Sequence, residues 1–165
     1  MSDQPRLDIM FFCLGNICRS PLAEALFRER VESRGIGDRF HIESSGTSNY
    51  HVGEAPDPGS QKVARKRLKR DISHQRAQQL TDRHVQDFDY LFAMDRSNRR
   101  RALRLEGADE SRIRLIREFD DADTGDDVPD PYGGGDSQFD LVFDILERSS
   151  ERLLDHLLER HPELK

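Results

Sequence analysis

An apolar run, Ile9-Met10-Phe11-Phe12, is followed at once by Cys13-Leu14-Gly15-Asn16-Ile17-Cys18-Arg19-Ser20-Pro21, and a helical pattern begins there. Four consecutive apolar residues predict a buried strand. Pro21 at the helix start, with Ala23, Leu26, Phe27 and Val31 at helical spacing, predicts a helix over about 21–34, closed near Gly35. A strand that feeds a helix through so short a loop turns several backbone N–H groups and a positive dipole end toward one point. Such a point binds tetrahedral oxyanions. A cysteine at its rim is favoured as thiolate, and Arg19 can clamp phosphate oxygens with two N–H bonds at once. The plainer reading, a buried cysteine beside an unrelated arginine, leaves the agreement of strand, loop and helix without a cause.

Each loop residue then has a task. Cys13 is the candidate nucleophile, able to attack phosphorus and carry the phosphoryl group. Arg19 would hold the equatorial oxygens, where charge sits during phosphoryl transfer. Gly15 lets the backbone come close to a phosphate, and Asn16 tolerates a left-handed conformation. Ser20 can donate to the Cys13 sulfur, or cap the helix, or both. Leu14, Ile17 and Cys18 complete the loop. Cys18 shares its curve with Cys13, so an oxidised Cys13 could be resolved as a disulfide; packing as a small apolar residue is the alternative for Cys18.

The remaining chain alternates strand and helix signals. Phe40–Ser44, Tyr90–Met94 and Ile113–Ile116 read as further strands. Pro56–Arg70, Ser97–Leu105 (ended at Gly107) and about Phe139–Arg160 read as helices, the last capped by Asp136 or Ser137; Leu80–Asp87 holds a short one. The alternation predicts an α/β domain with a parallel sheet, helices on both faces, and a ligand loop at the carboxyl end of the first strand. At 165 residues, 1–165 reads as one domain. The acidic, Gly- and Pro-rich stretch at about 120–135 reads as a surface loop.

The net charge of -6 argues against a nucleic-acid partner. The basic runs Arg65-Lys66-Arg67 and Arg99-Arg100-Arg101 read as solvated helix faces. No apolar run approaches the ~20 residues a bilayer requires, so no membrane association is expected. Two cysteines form neither a disulfide framework nor a four-ligand metal set, and the chain reads as cytoplasmic and metal-free.

The Cys-x5-Arg-Ser string, in the form Cys13-Leu14-Gly15-Asn16-Ile17-Cys18-Arg19-Ser20-Pro21 so near the N-terminus, resembles the low molecular weight protein tyrosine phosphatase family. The resemblance implies a three-layer sandwich around a four-stranded parallel sheet of flavodoxin-like topology. It also implies phosphotyrosine hydrolysis through a phosphocysteine without a cofactor, on phosphotyrosine proteins or small aryl phosphates, with phosphate and vanadate as ligands. In the family an Asn and a downstream His brace the loop; Ser73-His74-Gln75-Arg76-Ala77 resembles the downstream segment, which makes His74 the brace and Ser44 a second one.

A general acid must protonate the leaving phenolate, and two Asp-Pro pairs offer one. Asp57-Pro58 precedes a helix, where N-capping accounts for it. Asp130-Pro131 lies in Val128-Pro129-Asp130-Pro131-Tyr132-Gly133-Gly134-Gly135, where the proline stiffens the backbone beside the acid and the glycines let the loop fold over a substrate. The second segment resembles the family's acid loop, so Asp130 is the expected acid and Tyr132 a pocket wall, with Gly133 where relatives often carry a second aromatic. Tyr50 resembles the opposite wall, and a phosphotyrosine ring would stack between the two. Asp95 is given a structural and electrostatic role beside the loop, with helix capping as an equal alternative. Arsenate reductases share the scaffold but need cysteines downstream of the loop, and none follows Cys18. Protein arginine phosphatases carry Thr at the position of Ile17, whose apolar side chain suits an aryl ester. A non-catalytic phosphate-binding module would have no need of both Cys13 and Asp130.

Overall fold

In a computed structural model, which describes residues 6–120 and 127–165, four parallel strands lie in the order β2-β1-β3-β4. They are β1 (Leu7–Cys13), β2 (Phe40–Gly46), β3 (Tyr90–Ala93) and β4 (Ile113–Leu115). β1 is central and buried on both faces, hence its unbroken apolar run. Its register sets Phe11 against Ser44 on one side and Phe92 on the other, and Cys13 against Gly46.

The alternate residues of β1 feed two separate cores. Ile9, Phe11 and Cys13 pack with α1 (Arg19–Ser33), α2 (Pro58–Leu68) and α5 (Asp136–Arg160). Met10 and Phe12 face α3 (Asp82–Asp87) and α4 (Arg96–Ala102). The result is the three-layer α/β sandwich of flavodoxin-like topology. Strand order reverses beside β1, so its carboxyl end opens into a crevice.

α1 buries Ala23, Leu26, Phe27 and Val31, the expected stripe, and Leu22 beside it. It ends where expected: Gly35, at φ +73°, donates to the carbonyl of Glu32, and Ile36 donates to that of Val31, a Schellman closure. Elsewhere the ends shift. α2 stops at Leu68 because Lys69 turns left-handed (φ 56°), α4 stops at Ala102, and Ile116 falls in a 3-10 turn after β4. α5 begins at Asp136 rather than Phe139, with Gly135 at its N-cap and no side-chain cap; neither Asp136 nor Ser137 serves. Of the expected surface loop at about 120–135, residues 121–126 lie outside the described residues. Among the described residues, no helix is long and apolar enough to cross a membrane.

Candidate active site

The loop from Cys13 to Arg19 leaves the carboxyl end of β1 and runs straight into α1. Its carbonyl groups are tied outward. Thr47 and Ser48 donate from their backbone to the carbonyls of Cys13 and Leu14 (2.9 Å each), and Asp57 donates to Ile17 (2.8 Å). The Ser60 hydroxyl donates to the Cys18 carbonyl (2.9 Å). Among the described residues no protein acceptor takes the N–H groups of Leu14, Gly15, Ile17 or Cys18. Carbonyls taken up by other segments and N–H groups left without an acceptor are the arrangement from which anion-binding nests are built.

Asn16 is the hinge of this loop. Its φ is +60°, the left-handed conformation expected of it. Its backbone N–H donates to Cys13 Sγ (3.3 Å), and its side-chain amide donates to Ser20 Oγ (2.8 Å) and Ser44 Oγ (3.1 Å). Ser44 in turn donates to Glu24 Oε1 (2.7 Å). The brace expected from His74 is absent: His74 is exposed, and the backbone N–H of Gln78 donates to Asn16 Oδ1 instead (3.0 Å). The Gln78 side chain is itself fixed by Glu43 and the Ser44 carbonyl. Ser20 Oγ lies 3.1 Å from Cys13 Sγ and makes no cap; Cys18 stands at the N-cap of α1 without a side-chain bond.

Arg19 is 3 % exposed. Its Nη1 donates to Asp95 Oδ2 and to the Val128 carbonyl, both at 2.8 Å, and its Nη2 is 3.9 Å from Asp130 Oδ2. Burial opposes its charge, but Cys13, Asp95 and Asp130 outweigh burial and push its pKa up. Asp95 does both things expected of it, since its other oxygen caps α4 by accepting from Asn98 (2.7 Å). Cys18 is buried too. Its thiol pKa is pushed strongly upward, first by desolvation and then by Asp57, Cys13 and Asp130.

Above this floor is a cleft of about 120 Å³ that brings together Cys13, Arg19, Asp130, Tyr50 and Tyr132 with the loop residues Leu14, Gly15, Ile17 and Cys18. The loop carrying Asp130 is anchored at its root, where buried Val128 donates to the Met94 carbonyl at the end of β3 (2.8 Å). Asp130 Oδ1 accepts from the Tyr132 N–H (3.1 Å), and Gly133 turns the chain at φ +78°. Asp57, the other Asp-Pro acid, accepts from Gly59 and caps α2.

Besides Gln78 and Val128, His51 and Gly46 went unread in the sequence. His51 lines the cleft, held by Glu54 (3.1 Å), with its ring edge-on to Tyr132. Its neighbour Tyr50 offered the only signal. Gly46 sits under the loop, where a Cβ would come within 2.7 Å of the Leu14 carbonyl and 3.0 Å of the Asn16 nitrogen.

The fold and the site define an α/β protein with a thiol and a guanidinium on one loop between the first strand and the first helix. A sequence model of the low molecular weight phosphotyrosine protein phosphatase family matches residues 8–163, and the chain belongs to that family. It is 40% identical to low molecular weight protein-tyrosine phosphatase A of Mycobacterium tuberculosis over 162 residues, covering 97% of this chain and 96% of the relative. It is 39% identical to the low molecular weight phosphotyrosine protein phosphatase of Dictyostelium discoideum, covering 82% and 84% respectively. The crystal structure of a protein tyrosine phosphatase from Entamoeba histolytica, with Hepes in its active site, superposes with a TM-score of 0.86 at 32% identity, covering 94% of this chain and 99% of that one.

Proposed function

We propose that this protein hydrolyses phosphotyrosine, and small aryl phosphates, through a phosphocysteine on Cys13. One observation carries the reading: Cys13 and Arg19 share the cleft floor while Asp130 stands 3.9 Å from the Arg19 guanidinium at the mouth. The phosphoryl oxygens would take the free N–H groups of the loop and Arg19. The Cys13 thiolate attacks phosphorus, an S–P bond forms, the P–O bond to the ring breaks, and Asp130 hands its proton to the departing phenolate oxygen. Asp130 then takes a proton from a water, the resulting hydroxyl attacks phosphorus, and the S–P bond breaks. The thiolate returns to the hydrogen bonds of Ser20 and Asn16. Tyr50 and Tyr132 flank the substrate ring. Side chains of this protein carry every step, so the reading calls for no cofactor. A free catalytic thiol is kept reduced most readily in the cytoplasm, and this supports a cytoplasmic enzyme.

Cys13→Ser is expected to abolish turnover in a folded protein, because a hydroxyl is not ionised at neutral pH. The assay compares parent and variant on phosphotyrosine, phosphoserine and phosphoarginine peptides. Turnover by the variant, or parent turnover confined to phosphoserine or phosphoarginine, overturns the reading. Vanadate is expected to inhibit the parent as a mimic of the five-coordinate state.

Both cysteines of the cleft are free thiols. Peroxide would oxidise Cys13 to the sulfenic acid, and the Cys18 thiol would displace water from it to close a disulfide. The raised pKa of Cys18 means that it must lose its proton during this step. The parent is expected to recover activity in reductant, with a mass two hydrogens lighter before recovery, and Cys18→Ser to recover poorly. Equal recovery without that mass assigns Cys18 to packing alone.

A further inference from the structure

A groove of about 790 Å³ lies between α4 and β4, lined by Arg96, Arg99, Arg100 and Arg114 with Glu110 and Glu118. Its charge is not balanced from within. Glu118 is taken up by Arg114 and by the backbone N–H of Leu115, and Arg96 pairs with Asp127 at 3.5 Å. Arg99 donates to the carbonyls of Ile113 and Glu110 (2.8 and 3.2 Å), neutral acceptors that leave its charge in place. Arg100 is exposed and meets no carboxylate among the described residues. Glu110 offsets one of these charges at most. On the other face of the sheet, arginines packed near α5 do find acids: Arg30 has Glu147 and Glu151, and Arg67 has Asp140 and Asp144.

The groove follows the β4 edge of the sheet, from Glu110 and Ser111 ahead of β4 to Leu115 and Glu118, and its far end lies at the end of the sheet where Cys13 closes β1. β4 is two strands from β1, about 10 Å at ordinary strand spacing. Arg96 follows β3 and Glu118 follows β4, as Cys13 closes β1. Arg96 adjoins Asp95, which holds Arg19.

We propose that this groove docks an acidic stretch of the phosphoprotein substrate whose phosphotyrosine sits in the cleft. The proposal rests on the phosphatase reading and adds the substrate class. An extended peptide advances about 3.3 Å per residue, so acids about three to five positions from the phosphotyrosine would reach the arginines. Such contacts select partners and speed encounter, and salt screens them.

The test compares phosphotyrosyl peptides bearing Asp or Glu three to five positions away, on either side, with the same peptides bearing Gln. A small aryl phosphate serves as the control, and parent and Arg100→Glu are assayed in low and high salt. The parent is expected to favour the acidic peptides about 3- to 10-fold through KM, as a few exposed ion pairs allow, and to lose the preference in high salt. Arg100→Glu is expected to lose it while turning over the aryl phosphate at the parental rate; a thermal melt confirms its fold. Equal KM values for both peptide sets, or a preference that survives in Arg100→Glu, overturn the proposal while aryl phosphate turnover leaves the phosphatase reading standing. A parent inert on aryl phosphate and every peptide overturns both. Binding to phosphatidylserine vesicles that depends on Arg100, without a peptide preference, assigns the groove to a membrane surface and overturns the peptide proposal.

Discussion

On the floor of the cleft Cys13, Asn16 and Arg19 are each 3 % exposed, while at its mouth Tyr50 and Tyr132 are 69 % and 60 % exposed. The floor is cross-tied from four directions. Ser44 and Gln78 hold Asn16, Asp95 and the Val128 carbonyl hold Arg19, and Ser20 and the Asn16 N–H hold the sulfur. At the mouth, the Asp130 side chain is 50% exposed, with one turn bond to Tyr132 and a loose approach to Arg19. The difference follows from the chemistry of the two halves. Donors aimed at a developing anion act best when fixed before the substrate arrives. The general acid and ring walls proposed for the mouth must let a phosphotyrosine side chain in and a phenol out.

Three substitutions sharpen or break this contrast, in order of falling effect. Asp130→Ala removes chemistry from the mouth and leaves the floor intact, so kcat for phosphotyrosine is expected to fall ~100-fold or more with little change in thermal stability. The loss should shrink for aryl phosphates whose phenolate needs no proton; a loss independent of the leaving group would mean that Asp130 serves the floor instead. Gly46→Ala acts from below. Its Cβ would press on the Leu14 carbonyl and the Asn16 nitrogen. Overpacking of this kind costs ~1–3 kcal/mol of stability, and a displaced loop is expected to cost ~10- to 100-fold in kcat. Unchanged turnover would show that the floor tolerates movement and that its fixity is not what matters. Asp57→Ala keeps the backbone N–H that ties the Ile17 carbonyl and removes only the side chain that caps α2. It is expected to lose about 1 kcal/mol as a helix cap, read by thermal or urea unfolding, and to leave kcat within twofold or so of the parent. A large rate loss there would exchange the roles of the two Asp-Pro acids.

How much of this was legible depended on how local each interaction is. The strand, the loop and α1 are one contiguous stretch, and the apolar stripe of α1 with its Gly35 stop reads directly from spacing. Ser20 on the Cys13 sulfur is a bond across seven residues and was expected. The brace of Asn16 crosses 62 residues and is made by a backbone N–H, which every residue but proline carries, so the identity of Gln78 gave no sign of it. His74 was the more conspicuous side chain, yet it is exposed and makes no bond to Asn16, although it lines the same surface hollow as Ser44 and Gln78. The Val128 carbonyl on Arg19, 109 residues apart, is invisible for the same reason. Gly46 stood in plain view as a glycine, but what presses on it is backbone from another segment.

The sequence by itself determined that a thiol, a guanidinium and a row of N–H groups would converge after the first strand, because strand, short loop and helix follow one another along the chain. It also determined the alternation of elements that makes a parallel sheet with two covered faces. The choice of Asp130 over Asp57 was read from the sequence, but only the tertiary structure shows how Asp130 reaches Arg19, through the Val128 N–H on the Met94 carbonyl at the root of its loop. It alone gave Asp95 two tasks at once, one oxygen on α4 and one on Arg19. And it alone set the arginines of α4 beside Arg114 of β4 along one edge of the sheet, because residues from separate segments meet only when the sheet brings their elements together.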